Sequence, residues 1–242
     1  MNNIPTVSDT RRAFYGAHTR PINSIYRRVI EELMVEMHLL NVNSDFQYNP
    51  IYSLGVVTAF DRFMQGYLPE SDRDSIFQAL IRAQNQDPQQ YQADAKALCE
   101  IAQESTSQEL QQWASQAAQT AEGNPVQNNF QAIATNSRFK YSRLLAIGLY
   151  TLLEQADTEI LQDKDNREQA IETMASGLNL SKDKLLKDLE LYRSNLDKVA
   201  QARKMMQELT EAERKKREQR EAARATEGVD ENSEKTQSPS ES

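Results

Sequence analysis

Apolar residues recur along most of this chain at intervals of three and four, the spacing of one face of an α-helix. From Pro21 to Leu40 the stripe is Ile22, Ile25, Tyr26, Val29, Ile30, Leu33, Met37 and Leu40. Pro21 suits a first helical position, and Asn41 to Asp45 reads as the exit. Asn49-Pro50 pairs an N-cap with a proline at the first helical position. It opens an almost uncharged segment that runs to Gly66, a glycine placed to end a helix. Being apolar on several faces, this segment predicts a central helix. Pro69 to Asp72 begins another, with Ile76, Phe77, Leu80 and Ile81 inward, and Asp87-Pro88 repeats the cap-and-proline device ahead of Tyr91, Ala95, Leu98 and Ala102. Ser105 to Ser107 restarts the chain into Leu110, Trp113, Ala114 and Ala117, which ends at Gly123-Asn124-Pro125. A polar stretch, Val126–Ser137, separates it from a second central helix between Phe139 and Leu153, and Asp165 to Leu178 supplies a shorter one.

Ser181 is a good N-cap for the last helix. Leu185, Leu189, Tyr192, Leu196, Val199, Arg203 and Met206 follow in alternating steps of four and three, a heptad seam of the coiled-coil kind. Thr210, Glu213 and Arg217 then occupy the seam, but helix propensity stays high and Glu211/Lys215 and Glu213/Arg217 are favourable i,i+4 pairs. The helix therefore outruns the core, to about Thr226. No alternating strand pattern and no fixed-period repeat accompanies these signals. The pattern predicts an all-α fold. A single multi-helix bundle spans residues 1–200, a projecting, charged helical extension covers 201–226, and a disordered acidic tail covers 227–242.

Composition narrows the chemistry. Net charge is −8 with a pI near 5.0, and mean hydropathy is −0.74. A negative balance disfavours DNA as a partner. The longest apolar stretches, Ile51–Phe60 and Leu144–Leu153, are about half of the roughly 20 residues needed to span a bilayer. The opening MNNIPTVSDT is not a leader peptide, so we expect a soluble protein that stays where it is made. With Cys99 as the only cysteine no internal disulfide forms, and a reducing compartment is the natural setting.

Catalytic constellations are not found. Neither His18 nor His38 has the Glu three residues earlier that a di-metal bundle site requires. No glycine-rich phosphate loop or nucleophile elbow occurs. Glu31, Glu32 and Glu36 read as a solvated helix face, and Cys99 as an inert, buried thiol. Neither a metal nor a cofactor is expected. The strongest binding candidate is a basic patch on an acidic chain: Arg11, Arg12, His18, Arg20, Arg27 and Arg28, with Phe14 and Tyr15 between. Guanidinium forks hold carboxylates or phosphates, so the patch suits an acidic protein, an anionic lipid or RNA. The competing reading pairs these arginines internally with Glu31, Glu32, Glu36 or Asp61, and treats Asp61-Arg62 as an ion-paired element. Residues Arg203–Arg224 form a second locally basic segment, without the apolar face of a membrane-inserting helix.

These blocks resemble a known family. The run from Thr6 through Arg11-Arg-Ala-Phe-Tyr-Gly-Ala-His18 and Glu31-Glu-Leu-Met-Val-Glu-Met-His38 is similar to the opening of the thylakoid formation protein family, also called photosystem II biogenesis factors. Phe60-Asp-Arg-Phe-Met-Gln-Gly-Tyr-Leu-Pro-Glu70 resembles its second block, and Tyr141-Ser-Arg-Leu-Leu-Ala-Ile-Gly-Leu149 its third. The resemblance covers about residues 1–200. It implies an all-helical accessory protein without catalytic activity, active in thylakoid membrane formation and in photosystem II biogenesis and repair. It also implies an FtsH-type membrane protease complex or photosystem II assembly components as partners, and a peripheral place on the cytoplasmic face of the thylakoid. The family brings no catalytic or metal residues, so the arginine patch is the expected partner surface. The alternative is an RNA- or anionic-lipid-binding helical module using the same arginines.

Overall fold

The computed structural model describes residues 4–120, 122–160 and 162–234, with side chains described to residue 220. Among them are ten α-helices and no strand. In chain order they are α1 (Val7–Ala17), α2 (Ser24–Asn41), α3 (Pro50–Phe63), α4 (Ser71–Arg82), α5 (Pro88–Gln103), α6 (Ser107–Ser115), α7 (Pro125–Thr135), α8 (Arg143–Ala156), α9 (Lys164–Gly177) and α10 (Lys182–Glu234). A short 3₁₀ turn, Ala117–Gln119, follows α6. The chain divides into two units, Met1–Leu196 and Asp197–Ser242.

Side-chain caps set most helix starts. Asn49, Asp87 and Ser142 accept from the backbone N–H groups of Ile51, Gln89 and Leu145. Prolines at positions 50, 88 and 125 occupy first turns, where no N–H is needed. Two helices escape the apolar periodicity. In α1, Thr6 and Asp9 form a reciprocal capping box, and only Thr10 and Phe14 are buried. In α7, Asn124 and Gln127 form another, and Val126, Phe130, Ile133 and Ala134 make the inward face of the stretch read as merely polar. The start of α2 also moves. Pro21 lies ahead of the helix instead of in its first position, and Asn23 caps it by accepting from the Ile25 N–H. Gly66 ends the turn after α3 at φ 76°, a left-handed conformation that glycine adopts without strain.

The core of the first unit is built on α3 and α8, with α5 packed on both. A Cβ added to Gly55 would lie 1.7 Å from the Leu144 carbonyl oxygen, and one added to Gly148 would lie 1.9 Å from that of Ile51. The two helix backbones therefore touch. The register climbs the same way on both: the Thr151 hydroxyl meets Thr58 at 3.4 Å, and one turn on Arg62 pairs with Glu154. Hence α3 and α8 run in parallel, and α4–α7 form the excursion between them. Ile51, Leu54, Val56, Leu144, Ala146 and Leu152 are almost fully buried in this interface region, each large one contributing about 1.5–3 kcal/mol of transfer free energy. Ser53 donates its hydroxyl to the Tyr91 carbonyl at 2.8 Å, tying α3 to α5. The heptad seam of α10 is spent here first. Leu185, Leu189 and Tyr192 are buried, and Leu196 packs partly on the same core.

The second unit is the remainder of α10. Its helical backbone runs to Glu234, past the Thr226 where the sequence places the end and the disordered tail is expected to begin. Residues 227–234 contain no proline, so nothing removes an i→i−4 hydrogen bond there. Residues 235–242 of that expected tail lie outside the described residues. Met205 and Leu209 are exposed, and Arg214 pairs with Glu218 at 3.5 Å.

Gly148→Ala should destabilise the protein by about 3 kcal/mol in urea unfolding, because a methyl group has no place against the Ile51 carbonyl. Gly16→Ala, with nothing within 4 Å of the added atom, should instead raise stability by about 0.5 kcal/mol. Equal effects at the two sites would refute a backbone contact between α3 and α8. Truncation after Ala200 should shift the melting temperature, followed by circular dichroism, by no more than about 2 °C.

Candidate functional site

The arginine patch falls on α1, α2 and the loop between them, and the structure sorts its six members into two groups. One group is tied to α4. His18, at the C-cap of α1, is 2% exposed. Its Nδ1 lies 3.0 Å from Ser75 Oγ on α4, and its buried Nε2 has no hydrogen-bond partner among the described residues. The ring cannot meet a partner protein, which corrects its assignment to the contact surface. The cause is the placement of Phe14 and His18 on one face of α1, four residues apart, with their rings 6.4 Å apart. Arg20 pairs with Asp72, whose side chain is only 3% exposed, in the first turn of α4. The helix N-terminus favours that carboxylate as well. His18 and Arg20 thus fasten α1 and its following loop onto α4.

The other group lies open to solvent. Arg11 pairs with Glu31 at 3.7 Å, Arg12 with Asp9 at 3.4 Å and Arg28 with Glu32 at 3.1 Å. Arg27 is exposed and, with Arg11, lies close enough to Tyr15 to lower its pKa. The Tyr15 hydroxyl donates to Glu31 at 2.9 Å. Burial, then that bond and the Glu31 charge, push the phenol above its ordinary range. Four arginines here face three carboxylates, so the α1–α2 edge is a strip of alternating charge rather than a concentrated cation. The internal pairing holds for Glu31 and Glu32.

Other candidates resolve differently. Glu36 is not on a solvated face: it is half-buried and pairs with Arg143 of α8, and burial pushes its carboxyl up against that neighbour's pull. Asp61-Arg62 is ion-paired across helices, Asp61 to Arg73 at 3.4 Å and Arg62 to Glu154. Cys99 is half-buried rather than buried, its thiol pushed up by desolvation and by Glu100. Among the described residues no group of three or more His, Cys, Asp or Glu could hold a metal, and no helix is long and apolar enough to cross a membrane. The sequence reading missed a cleft of about 500 Å³ where His38, Thr10, Asn41, Gln84 and Gln86 converge. In it His38 Nδ1 lies 2.9 Å from Thr10 Oγ1. The sequence reading weighed His38 only as a metal ligand lacking the Glu three residues earlier.

Burial pulls the His18 imidazole below its ordinary 6.5, Asp72 raising it and Arg20 lowering it further. The unfolded chain therefore binds more protons than the folded one below about pH 6.5, and stability falls as pH falls through that range. His18→Asn should be less stable at neutral pH, yet the gap in melting temperature should narrow from about pH 7.5 to about pH 5.5. Parallel curves for the two proteins would show that the ring titrates alike folded and unfolded.

Comparison with known proteins gives this arrangement a family. A sequence profile described as Thylakoid formation protein matches residues 6–221. A protein of Trichormus variabilis, Protein Thf1, is 58% identical over 93% of this chain and 97% of its own. Protein Thf1 of Nostoc punctiforme is 59% identical over 91% and 94%. A solved structure of Psb29 shares 47% identity and superposes with a TM-score of 0.77, covering 88% of this chain and 98% of its own. The match spans α1 through the charged part of α10, and the chain belongs to the thylakoid formation protein family.

Proposed function

We propose that this chain is a non-enzymatic accessory factor for thylakoid membrane formation and for photosystem II biogenesis and repair, working by binding and stabilising an FtsH-type membrane protease complex at the cytoplasmic face of the thylakoid. The observation that carries this reading is the family match over residues 6–221, whose description names a process rather than a reaction. The geometry supports binding over turnover. The polar groups at the α1–α2 edge are spent in ion pairs and in fastening helices, and the unit they decorate is packed around a backbone contact that leaves little freedom to rearrange.

The contact surface we assign is the exposed edge Arg11, Arg12, Arg27 and Arg28, with the buried His18 and the solvent-exposed Arg20 holding α1 and its following loop on α4. Exposed ion pairs of this kind contribute little to stability, so an acidic partner can exchange them at small cost and gain forked contacts to guanidinium. Phosphate recognition by RNA or anionic lipid needs cations in clear excess, and three carboxylates beside four arginines do not supply it.

Replacing Arg11, Arg12, Arg27 and Arg28 with Glu should leave the helical spectrum intact. It should also cut co-purification of the FtsH-type complex from thylakoids by about tenfold, more at low salt than at high. Undiminished co-purification would remove this edge as the contact, and binding of the wild-type chain to anionic vesicles alone would favour the lipid reading.

A further inference from the structure

A cleft of about 250 Å³ opens between α3 and α4, with Val57, Phe60 and Phe77 as an apolar base and Asp61, Glu70 and Asp74 around it. Among the described residues Arg73 is the one cation lining it. Its Nη2 sits 3.4 Å from Asp61 Oδ1, while its Nε is buried without a hydrogen-bond partner among the described residues. Glu70 and Asp74 form no ion pair among the described residues. Burial raises the Asp61 pKa, Arg73 opposes the rise, and the Asp74 charge adds to it. Two residues before Glu70, on the turn into α4, Leu68 is 80% exposed. The dipole of α4 accounts for acids in its first turn. It accounts neither for Asp61 on α3 nor for the exposed leucine.

The second unit carries the complement. Met205, Leu209, Ala212 and Lys216 recur at steps of four, three and four, so they share one stripe of α10. Met205 and Leu209 are 64% and 65% exposed. Lys215 and Lys216 form no ion pair among the described residues. On this stripe Met205, Leu209 and Lys216 set apolar side chains in line with an ammonium group, Glu208, Glu211 and Glu213 falling on other faces of the helix, and they match an apolar base beside Glu70 and Asp74, which form no ion pair among the described residues.

We propose that the α3–α4 cleft receives the Met205–Lys216 stretch of α10 from a second copy of this chain. A lysine stem lies along Phe60 and Phe77 with its ammonium among Asp61, Glu70 and Asp74, as long cationic side chains do on apolar surface. Met205 and Leu209 cover Leu68. The two surfaces differ, so the contact is heterologous, running head to tail from copy to copy. It rests on charge and apolar complementarity within this chain and does not depend on the protease reading.

Sedimentation velocity on the full-length chain tests it. The wild type should associate with rising concentration at low salt and dissociate at high salt. Glu70→Lys with Asp74→Lys, and separately Lys215→Glu with Lys216→Glu, should each weaken association by about tenfold or more. An equimolar mixture of the two variants should associate again, because each retains the surface that the other has lost. Should a reversal disturb the helical spectrum, Glu70→Gln/Asp74→Asn and Lys215→Gln/Lys216→Gln carry the same expectations. A wild type that stays monomeric up to about 0.1 mM would overturn the proposal. So would association untouched by the cleft substitutions, which is the signature of α10 pairing with α10, or a loss that mixing does not restore.

Discussion

The arrangement of the first unit depends on two helix backbones in van der Waals contact. Gly55 and Gly148 each leave room for a carbonyl of the other helix, and no side chain larger than hydrogen fits at either place. Close approach brings α3 and α8 into parallel register, so the chain must leave one, travel around and return to the other. Helices α4–α7 are that journey. Packing along the pair is then nearly all-or-none: interiors at crystal-like density do not yield to an added methyl group. Half-buried ion pairs join α8 to α3 through Arg62–Glu154 and to α2 through Arg143–Glu36. In that setting removing one partner costs more than the pair itself contributes.

Much of this was legible in the chain. The largely apolar segments ending at Gly66 and Leu153 predict central helices, and both are central. Cap-and-proline pairs at Asn49-Pro50 and Asp87-Pro88 fix two helix starts to the residue. What the periodicity missed were helices with narrow apolar faces, α1 and α7. Their evidence is chemical rather than periodic, a Thr or Asn at the cap and an Asp or Gln three residues on. That signal is as local as a proline and was available in both places. The parallel contact of α3 and α8 was not legible. A glycine in a helix reads as a weak point until its neighbour is known.

The candidate site shows why charge is harder to read than hydropathy. Five arginines between positions 11 and 28 look alike as a string. In space Arg20 lies over a carboxylate that is almost wholly buried, while Arg11, Arg12 and Arg28 hold exposed partners. The difference arises from position relative to α4. Only the residues following α1 reach its first turn, and only there is a buried Asp72 available. The internal-pairing reading found the right partners where both charges lie on α1 and α2, as with Glu31 and Glu32. It failed where the partner came from a distant part of the chain, as with Arg143 for Glu36 and Arg73 for Asp61.

The last helix joins both lines of reasoning. Leu185, Leu189 and Tyr192 are buried in the first unit, and that burial nucleates α10. Beyond them the helix has no need of a core to persist. Nucleation is the costly step and has already been met, while pairs such as Arg214–Glu218 add about 0.3–0.5 kcal/mol each at four-residue spacing. A helix sustained in this way keeps its side chains for other molecules. Selection for charge alone would leave no reason for Met205 and Leu209 to stand exposed on one stripe, since exposed apolar residues in register are a liability unless something covers them. Contact with a second copy, as proposed above, is what would cover them.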